Sequence, residues 1–290
     1  MKVLVTGAAG KLGSAVCSSL RERGHEVRAT DRRYRPGLEV ELKLADLCSD
    51  LAAYELLAGM DAVAHIGNHP NVFSGPPPQR ILSENTAMNA NVFRAAADLG
   101  VRRIAFASSV QVMLRMPNGG KLEPPYPVPY LPLDGAAPRN PGINCYALSK
   151  ELAERLLEEH AREDSALSAT SLRFPMLLSE QFAPIFTGRG RPVDPKWLNF
   201  GELLGYLMFS DAAALIVAVL EAGLPGYHQQ YPALSLEVKN RSVPSLIDEF
   251  YPHVELRRPV SQISSLIDIS GLQKSIAWDP KHHFSVEMVT

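Results

Sequence analysis

Three residues in this chain combine types and spacing that suit proton transfer. Tyr146 and Lys150 stand four apart in Tyr146-Ala147-Leu148-Ser149-Lys150, a spacing that places both on one helical face. A free tyrosine has a pKa near ~10 and is a poor base at neutral pH. A nearby ammonium favours the phenolate and lowers that pKa. Tyr146 is then expected to take a proton from an alcohol, or give one to a carbonyl oxygen, while a hydride moves. Ser109 ends the run Phe106-Ala107-Ser108-Ser109, and its hydroxyl can hold the same substrate oxygen. The plainer readings are a solvated pair on an exposed helix and a polar cap after a strand.

Such chemistry needs a hydride carrier, and the N-terminus supplies a place for one. Val3-Leu4-Val5 runs into Thr6-Gly7-Ala8-Ala9-Gly10-Lys11-Leu12-Gly13 and then a helix-like segment. Glycines let a backbone approach a pyrophosphate, and free N–H groups at a helix start point at its charge. The spacing is G-x-x-G-x-x-G, not the commoner G-x-G-x-x-G. Asp31 follows Gly13 by 18 residues, at the end of a second candidate strand. A carboxylate there accepts from the ribose hydroxyls of a dinucleotide and repels a phosphate on that ribose. Arg32 and Arg33 offset the repulsion. NAD is favoured and NADP stays open. Asp46-Leu47 suits an adenine, with a helix N-cap as the alternative for Asp46.

The elements that position these groups alternate. Strands are expected at Lys2–Thr6, Glu26–Thr30, Glu41–Leu44, Ala62–Ile66 and Arg103–Ala107, and helices at Lys11–Arg23, Leu51–Ala58 and Gln79–Leu99, with a long helix from Tyr146 to Ala161. This alternation implies βαβ units and a doubly wound parallel sheet, an α/β Rossmann fold. Residues 1–174 form the expected nucleotide-binding and catalytic domain. Residues 175–290 form a smaller substrate-binding lobe with parts returning to the sheet. Residues 211–222 read as an apolar helix against the sheet or a partner subunit. Eight of the 25 residues from Pro117 to Pro141 are proline. The 115–142 segment is therefore expected to be extended, a substrate-facing lid or a surface excursion, with Gly119, Gly120 and Gly135 as bends.

Composition narrows the class. The chain has 290 residues, 46% of them hydrophobic, and a formal net charge of −2, which favours a large core over nucleic-acid or membrane-surface binding. No apolar run is long enough for a bilayer. A strand beginning at Lys2 leaves no room for a signal peptide. Cys17, Cys48 and Cys145 lack metal-ligand spacing, and the expected location is cytoplasmic. His65 and His69 lie four apart, but Gly67 and Pro70 argue against a helix, and no metal is expected. Cys145 has no base to activate it. Arg189 and Arg191 are either solvated or hold an anionic substrate group.

Thr6-Gly7-x-x-Gly10-x-x-Gly13, Asp31, Asp46-Leu47, Ser108-Ser109 and Tyr146-x-x-x-Lys150 occur in one order. As a set they resemble the extended short-chain dehydrogenase/reductase superfamily, in its NAD-dependent epimerase/dehydratase branch. Asn85 and Asn91-Val92, Phe209-Ser210-Asp211, and Ser265 to Asp268 with Ala277-Trp278-Asp279-Pro280 extend the likeness over nearly the whole chain. The resemblance implies Ser109, Tyr146 and Lys150 as catalytic residues, with Lys150 holding the nicotinamide ribose. It implies cofactor contacts at Gly7, Gly10, Lys11, Leu12, Gly13, Asp31, Arg32, Asp46, Leu47, Ile66, Lys150 and Phe174. Asn85 or Asn89 would support the relay.

Departures from the family pattern shape the expected substrate. Val110-Gln111 follows Ser109, where 4,6-dehydratases carry an acidic pair after their catalytic Thr, so dehydration is disfavoured. The Asn-His of uronate dehydrogenases is absent there too, although Ala64-His65-Ile66-Gly67 resembles that group. Leu172 to Leu178 lacks the asparagine that many nucleotide-sugar enzymes place there. The expected function is oxidation or epimerisation of a sugar-like substrate, a free sugar, uronate or nucleotide sugar, with a homodimer open. The alternatives are a non-catalytic NAD(P) sensor and a carbonyl reductase of a non-sugar substrate.

Overall fold

A computed structural model describes residues 1–119 and 122–289. Gly120, one of the expected bends, lies outside the described residues. The first half of the chain runs β1 (Lys2–Thr6), α1 (Lys11–Glu22), β2 (Glu26–Asp31), β3 (Leu42–Leu44), α2 (Asp50–Leu57), β4 (Ala62–His65), α3 (Pro78–Asp98) and β5 (Arg103–Ser109). The second runs β6 (Tyr130–Leu131), α4 (Cys145–Glu163), β7 (Ser168–Phe174), β8 (Met176–Leu178), α5 (Ala183–Phe186), β9 (Gly205–Met208), α6 (Phe209–Ala222) and β10 (Gly226–Gln230), followed by shorter pieces. Seven strands form one parallel sheet in the order β10-β7-β5-β4-β1-β2-β3.

Both faces of this sheet are covered, so its central strands send apolar side chains to either side. Val3 and Val5 pack with α1 and α6, whereas Leu4 between them packs with α2 and α3, as a period of two requires. Strand order reverses between β1 and β4, which opens a crevice at the C-terminal edge of the sheet. Apolar α6 packs on the sheet beside α1, so its Ala-rich face is used within this chain. Within residues 175–290, β10 returns to the central sheet, where it pairs with β7. The late motifs meet at Asp211. Its carboxylate accepts from the backbone N–H of Lys281 (3.2 Å) and His282 (3.3 Å), and the Trp278 indole donates to its carbonyl at 3.1 Å.

The proline-rich segment is neither a lid nor a surface excursion over its second half. Val128, Tyr130, Leu131, Leu133 and Ala137 are buried in the core of the C-terminal lobe, and Tyr130–Leu131 is a short parallel strand on Glu255–Leu256. Apolar residues between the prolines give it a buried face that proline count alone conceals.

A buried charge network ties this segment to the sheet. Glu154 of α4 and Arg173 of β7 are both fully buried and paired at 2.7 Å, and Arg139 pairs with the same carboxylate at 3.0 Å. Arg173 also donates to the carbonyls of Gly135 (3.2 Å) and Ala137 (2.7 Å). Removing Arg173 takes its fully buried partner from Glu154, leaves Arg139 to hold that carboxylate, and takes this donor from the buried carbonyls of Gly135 and Ala137. Arg173→Met is therefore expected to cost about 3–5 kcal/mol, measurable as a lower midpoint in urea unfolding with unchanged slope; a loss within the error of the measurement would show the network to be dispensable.

Candidate active site

The crevice at the sheet edge is a cleft of about 930 Å³. Its dinucleotide end is built from backbone. Gly7 has φ +67°, and a Cβ there would meet Gly67 Cα at 2.9 Å. A Cβ on Gly13 would fall 2.1 Å from the Gly7 carbonyl oxygen. Thus α1 starts hard against the turn, and among the described residues no side chain caps its first N–H groups. These donors, with the helix dipole, suit a pyrophosphate. Gly7, Gly10, Lys11, Leu12, Gly13, Asp31, Arg32, Asp46, Leu47, Ile66, Lys150 and Phe174 all line the cleft.

Two ribose-end expectations gain detail. Asp31 already accepts from the N–H groups of Ala9 (3.1 Å) and Arg33 (3.0 Å), which braces the glycine turn. Arg32 lies 3.6 Å from Glu84 and so is partly neutralised. Arg35 has no motif to announce it, yet it donates to the carbonyls of Ala9 and Gly10, both at 3.1 Å. The alternative for Asp46 is corrected: Ser49, not Asp46, caps α2, because Asp46 instead accepts from Cys48 N–H at 2.9 Å.

The other end of the cleft is built from side chains on β5 and α4. Asn144 caps α4 by accepting from Ala147 N–H at 2.9 Å, and it donates to Pro117 O at 2.7 Å. The helix start that carries Tyr146 is thereby fixed to the proline-rich segment. Ser109 extends β5 to the cleft, where its hydroxyl accepts from Gln111 N–H at 3.2 Å and is close enough to the Tyr146 phenol to favour its ionised form. Ser108 turns away and donates to Glu154 at 2.7 Å. Their adjacency on a strand sends the two hydroxyls to opposite sides.

Lys150 corrects one expectation. Its ammonium donates to Ala107 O (2.6 Å) and Asn68 Oδ1 (2.7 Å), and it lies 5.7 Å from the Tyr146 ring centroid. Burial pushes Lys150 down to about 7. Tyr146 is not lowered but pushed up to about 12, mainly by burial, with Ser109 opposing and the charge of Glu202 adding a smaller push. Desolvation outweighs a partner that is itself desolvated.

Asn85 and Asn89 make their hydrogen bonds to groups other than Tyr146 and Lys150. Asn85 binds the backbone of His69 and the Ser149 hydroxyl. Asn89 Oδ1 lies 2.9 Å from His65 Nε2, and Thr6 Oγ1 lies 2.8 Å from His65 Nδ1. Burial first, and the Lys150 charge second, hold His65 down to about 3, so the imidazole is neutral. His69 faces Glu84 instead, at 2.6 Å. Sequence reasoning missed Asn68. Its one signal is its place in the loop leaving β4 at the ligand-binding edge. Arg189 and Arg191 are exposed and do not line the cleft.

A glycine-cradled cleft at the strand-order reversal of a parallel sheet, with a tyrosine and a lysine at its far end, defines a dinucleotide-binding α/β protein of the short-chain dehydrogenase/reductase type. The chain belongs to the NAD dependent epimerase/dehydratase family, whose sequence model matches residues 3–198. NAD is accordingly its cofactor. The chain is 31% identical over 235 residues to a 2-alkyl-3-oxoalkanoate reductase of Stenotrophomonas maltophilia, covering 78% of this chain and 67% of that protein. It is 28% identical over 205 residues to a uronate dehydrogenase of Pseudomonas syringae pv. tomato, covering 70% of this chain and 66% of that one. Among solved structures, a UDP-glucose 4-epimerase of Stenotrophomonas maltophilia with bound NAD superposes with a TM-score of 0.65 at 21% identity, covering 97% of this chain and 94% of that one. Among the described residues, no helix is long and apolar enough to cross a membrane.

The depressed Lys150 has a measurable signature. Its folded pKa of about 7 lies below the ordinary 10.5, so between those values the unfolded chain binds more protons. The stability of the wild type relative to Lys150→Met is expected to rise with pH across that window, by up to about 1.4 kcal/mol per unit, and to level off below it. A flat difference in denaturant titrations from pH 7 to 10 would contradict the assignment.

Proposed function

We propose that this protein is an oxidoreductase or epimerase that moves a hydride between nicotinamide and a hydroxyl or carbonyl carbon of a sugar-like substrate, with Tyr146 as the acid/base. The observation that carries this reading is the convergence of Ser109, Tyr146 and Lys150 at one end of a cleft whose other end is the glycine cradle. Gly7, Gly13 and Gly67 let the turn, the loop after β4 and the start of α1 pack backbone against backbone, which brings the free N–H groups of the helix start to the cleft wall, where they fit a dinucleotide's phosphates. The cofactor supplies a hydride acceptor or donor at nicotinamide C4 when bound.

The chain's own residues handle the proton. With its pKa near 12, Tyr146 is protonated at neutral pH and is set to donate to a carbonyl oxygen as that carbon is reduced. In the oxidative direction it receives the hydroxyl proton, and the Ser109 hydrogen bond stabilises the phenolate it starts from. Lys150, fixed by Asn68 and the Ala107 carbonyl, holds the nicotinamide ribose. Val110 and Gln111 after Ser109 offer no acid for water elimination, which argues against dehydratase chemistry.

Polar groups at the substrate end, Gln111 and Glu202 among them, support a hydroxyl-rich substrate. Met176, Leu177 and Phe209 also line the cleft. With the resemblance to a 2-alkyl-3-oxoalkanoate reductase, they support a second reading, reduction of a non-sugar carbonyl.

The test is NADH formation when the protein and NAD meet free aldoses, uronates and nucleotide sugars, with product analysis for isomerised sugar. NADH with one sugar gives a dehydrogenase, and isomerised sugar without NADH gives an epimerase. Silence towards sugars, with NADH consumed by oxo acids, selects the second reading. Tyr146→Phe is expected to lower kcat by about 10²- to 10⁴-fold with NAD affinity unchanged; undiminished turnover would overturn the acid/base role. Asp31→Ala is expected to weaken NAD by roughly tenfold and NADP less, as read by fluorescence titration. Equal losses would mean that Asp31 braces the turn without reading the ribose.

A further inference from the structure

One buried carboxylate at the substrate end takes no part in the proton transfer described above. Glu202 lines the cleft and is 8% exposed. Its carboxylate lies 3.5 Å from Gln111 Nε2, and its charge is felt by the Tyr146 phenol. Burial raises the Glu202 pKa, with hydrogen bonds from Gln111 and Asn199 opposing.

The chain holds Glu202 there against its own preference. Glu202 ends a tight turn over Phe200–Glu202, and the next two residues, Leu203 and Leu204, have φ of +60° and +57°. Leucine rarely adopts this left-handed conformation. Surrounding bonds over-determine it. Leu203 N–H donates to Phe200 O at 3.0 Å, and Leu204 N–H to Asn199 O at 2.9 Å. The Leu203 carbonyl accepts from Ser235 Oγ at 3.0 Å and the Leu204 carbonyl from Leu236 N–H at 2.9 Å. The Tyr251 hydroxyl donates to Phe200 O at 2.6 Å. Backbone strain that is fixed so firmly collects at ligand sites, and here it delivers one carboxyl group beside the reacting centre.

A carboxyl group and a primary amide side by side present acceptors and N–H donors together, the complement of neighbouring hydroxyls. A substrate carboxylate in the same place meets Glu202 and must either bear the repulsion or take up a proton, and both cost free energy. We propose that Glu202 and Gln111 recognise hydroxyl groups of the substrate, its terminal hydroxymethyl among them, and select an uncharged, free polyhydroxylated sugar over the counterpart that carries a carboxylate in that place. This inference deepens the sugar reading above and rests on it.

The experiment measures kcat and KM with NAD for matched pairs, glucose against glucuronate and galactose against galacturonate, in the wild type, Glu202→Gln and Gln111→Leu. The wild type is expected to favour the neutral sugar by at least about tenfold in kcat/KM. Glu202→Gln keeps the shape and removes the charge. It should erase most of that preference, chiefly by lowering KM for the uronate, while NAD affinity stays constant. Gln111→Leu should raise KM for the neutral sugar. A wild-type preference for the uronate, or a ratio that Glu202→Gln leaves unmoved, overturns the Glu202 assignment and leaves the oxidoreductase reading standing. Absence of both NADH formation and isomerised product with every sugar overturns the sugar reading, and this inference with it.

Discussion

Glu154 is the side chain on which the site's geometry depends. It lies in α4 one turn beyond Lys150, which lies one turn beyond Tyr146, so the three form a stripe on one face of the helix. Its carboxylate is fully buried and accepts from Ser108 on β5, Arg173 on β7 and Arg139 at the end of the proline-rich segment. A buried charge persists only when its partners are held in place. That requirement locks α4 against two central strands and fixes how far Tyr146 stands from Ser109. The same carboxylate supports the charged form of Lys150 against the burial that opposes it.

The two ends of the cleft are made differently. The dinucleotide end is backbone: close-packed turns at Gly7 and Gly67, and an uncapped helix start. Such a surface recognises phosphate without demanding particular side chains. The reacting end is side chains on rigid elements, with Ser109 at the end of a strand and Tyr146 and Lys150 on a capped helix. Desolvation is strong enough there to move Tyr146 and Lys150 in opposite directions, away from the phenolate and away from the ammonium. Both neutral forms gain from the burial.

The proline-rich segment joins these parts. Its start receives the hydrogen bond of the cap residue Asn144, and its later stretch lies in the core of the C-terminal lobe. Prolines reduce the entropy lost when an extended chain is ordered, and the intervening apolar side chains give it something to bury. A segment that reads as irregular thus supports the helix that carries Tyr146.

What the sequence determined by itself is whatever local pattern controls. Alternating apolar runs and amphipathic stretches specify βαβ units, and the elements fall within a few residues of their expected bounds. The glycine spacing, Asp31, Ser109 and the Tyr146–Lys150 interval mark the cleft because each depends on neighbours within a turn or on its place at a strand end. Tertiary structure decided the rest, through groups brought together from far apart in the chain. Asn68 meets Lys150, Glu84 tempers Arg32, and Glu154 gathers Arg139 and Arg173. The Tyr146 pKa also escaped the sequence, since a spacing of four shows which groups are near but not how much water is left around them. Desolvation is a property of the packed whole, and it reversed the shift that the pair alone would predict.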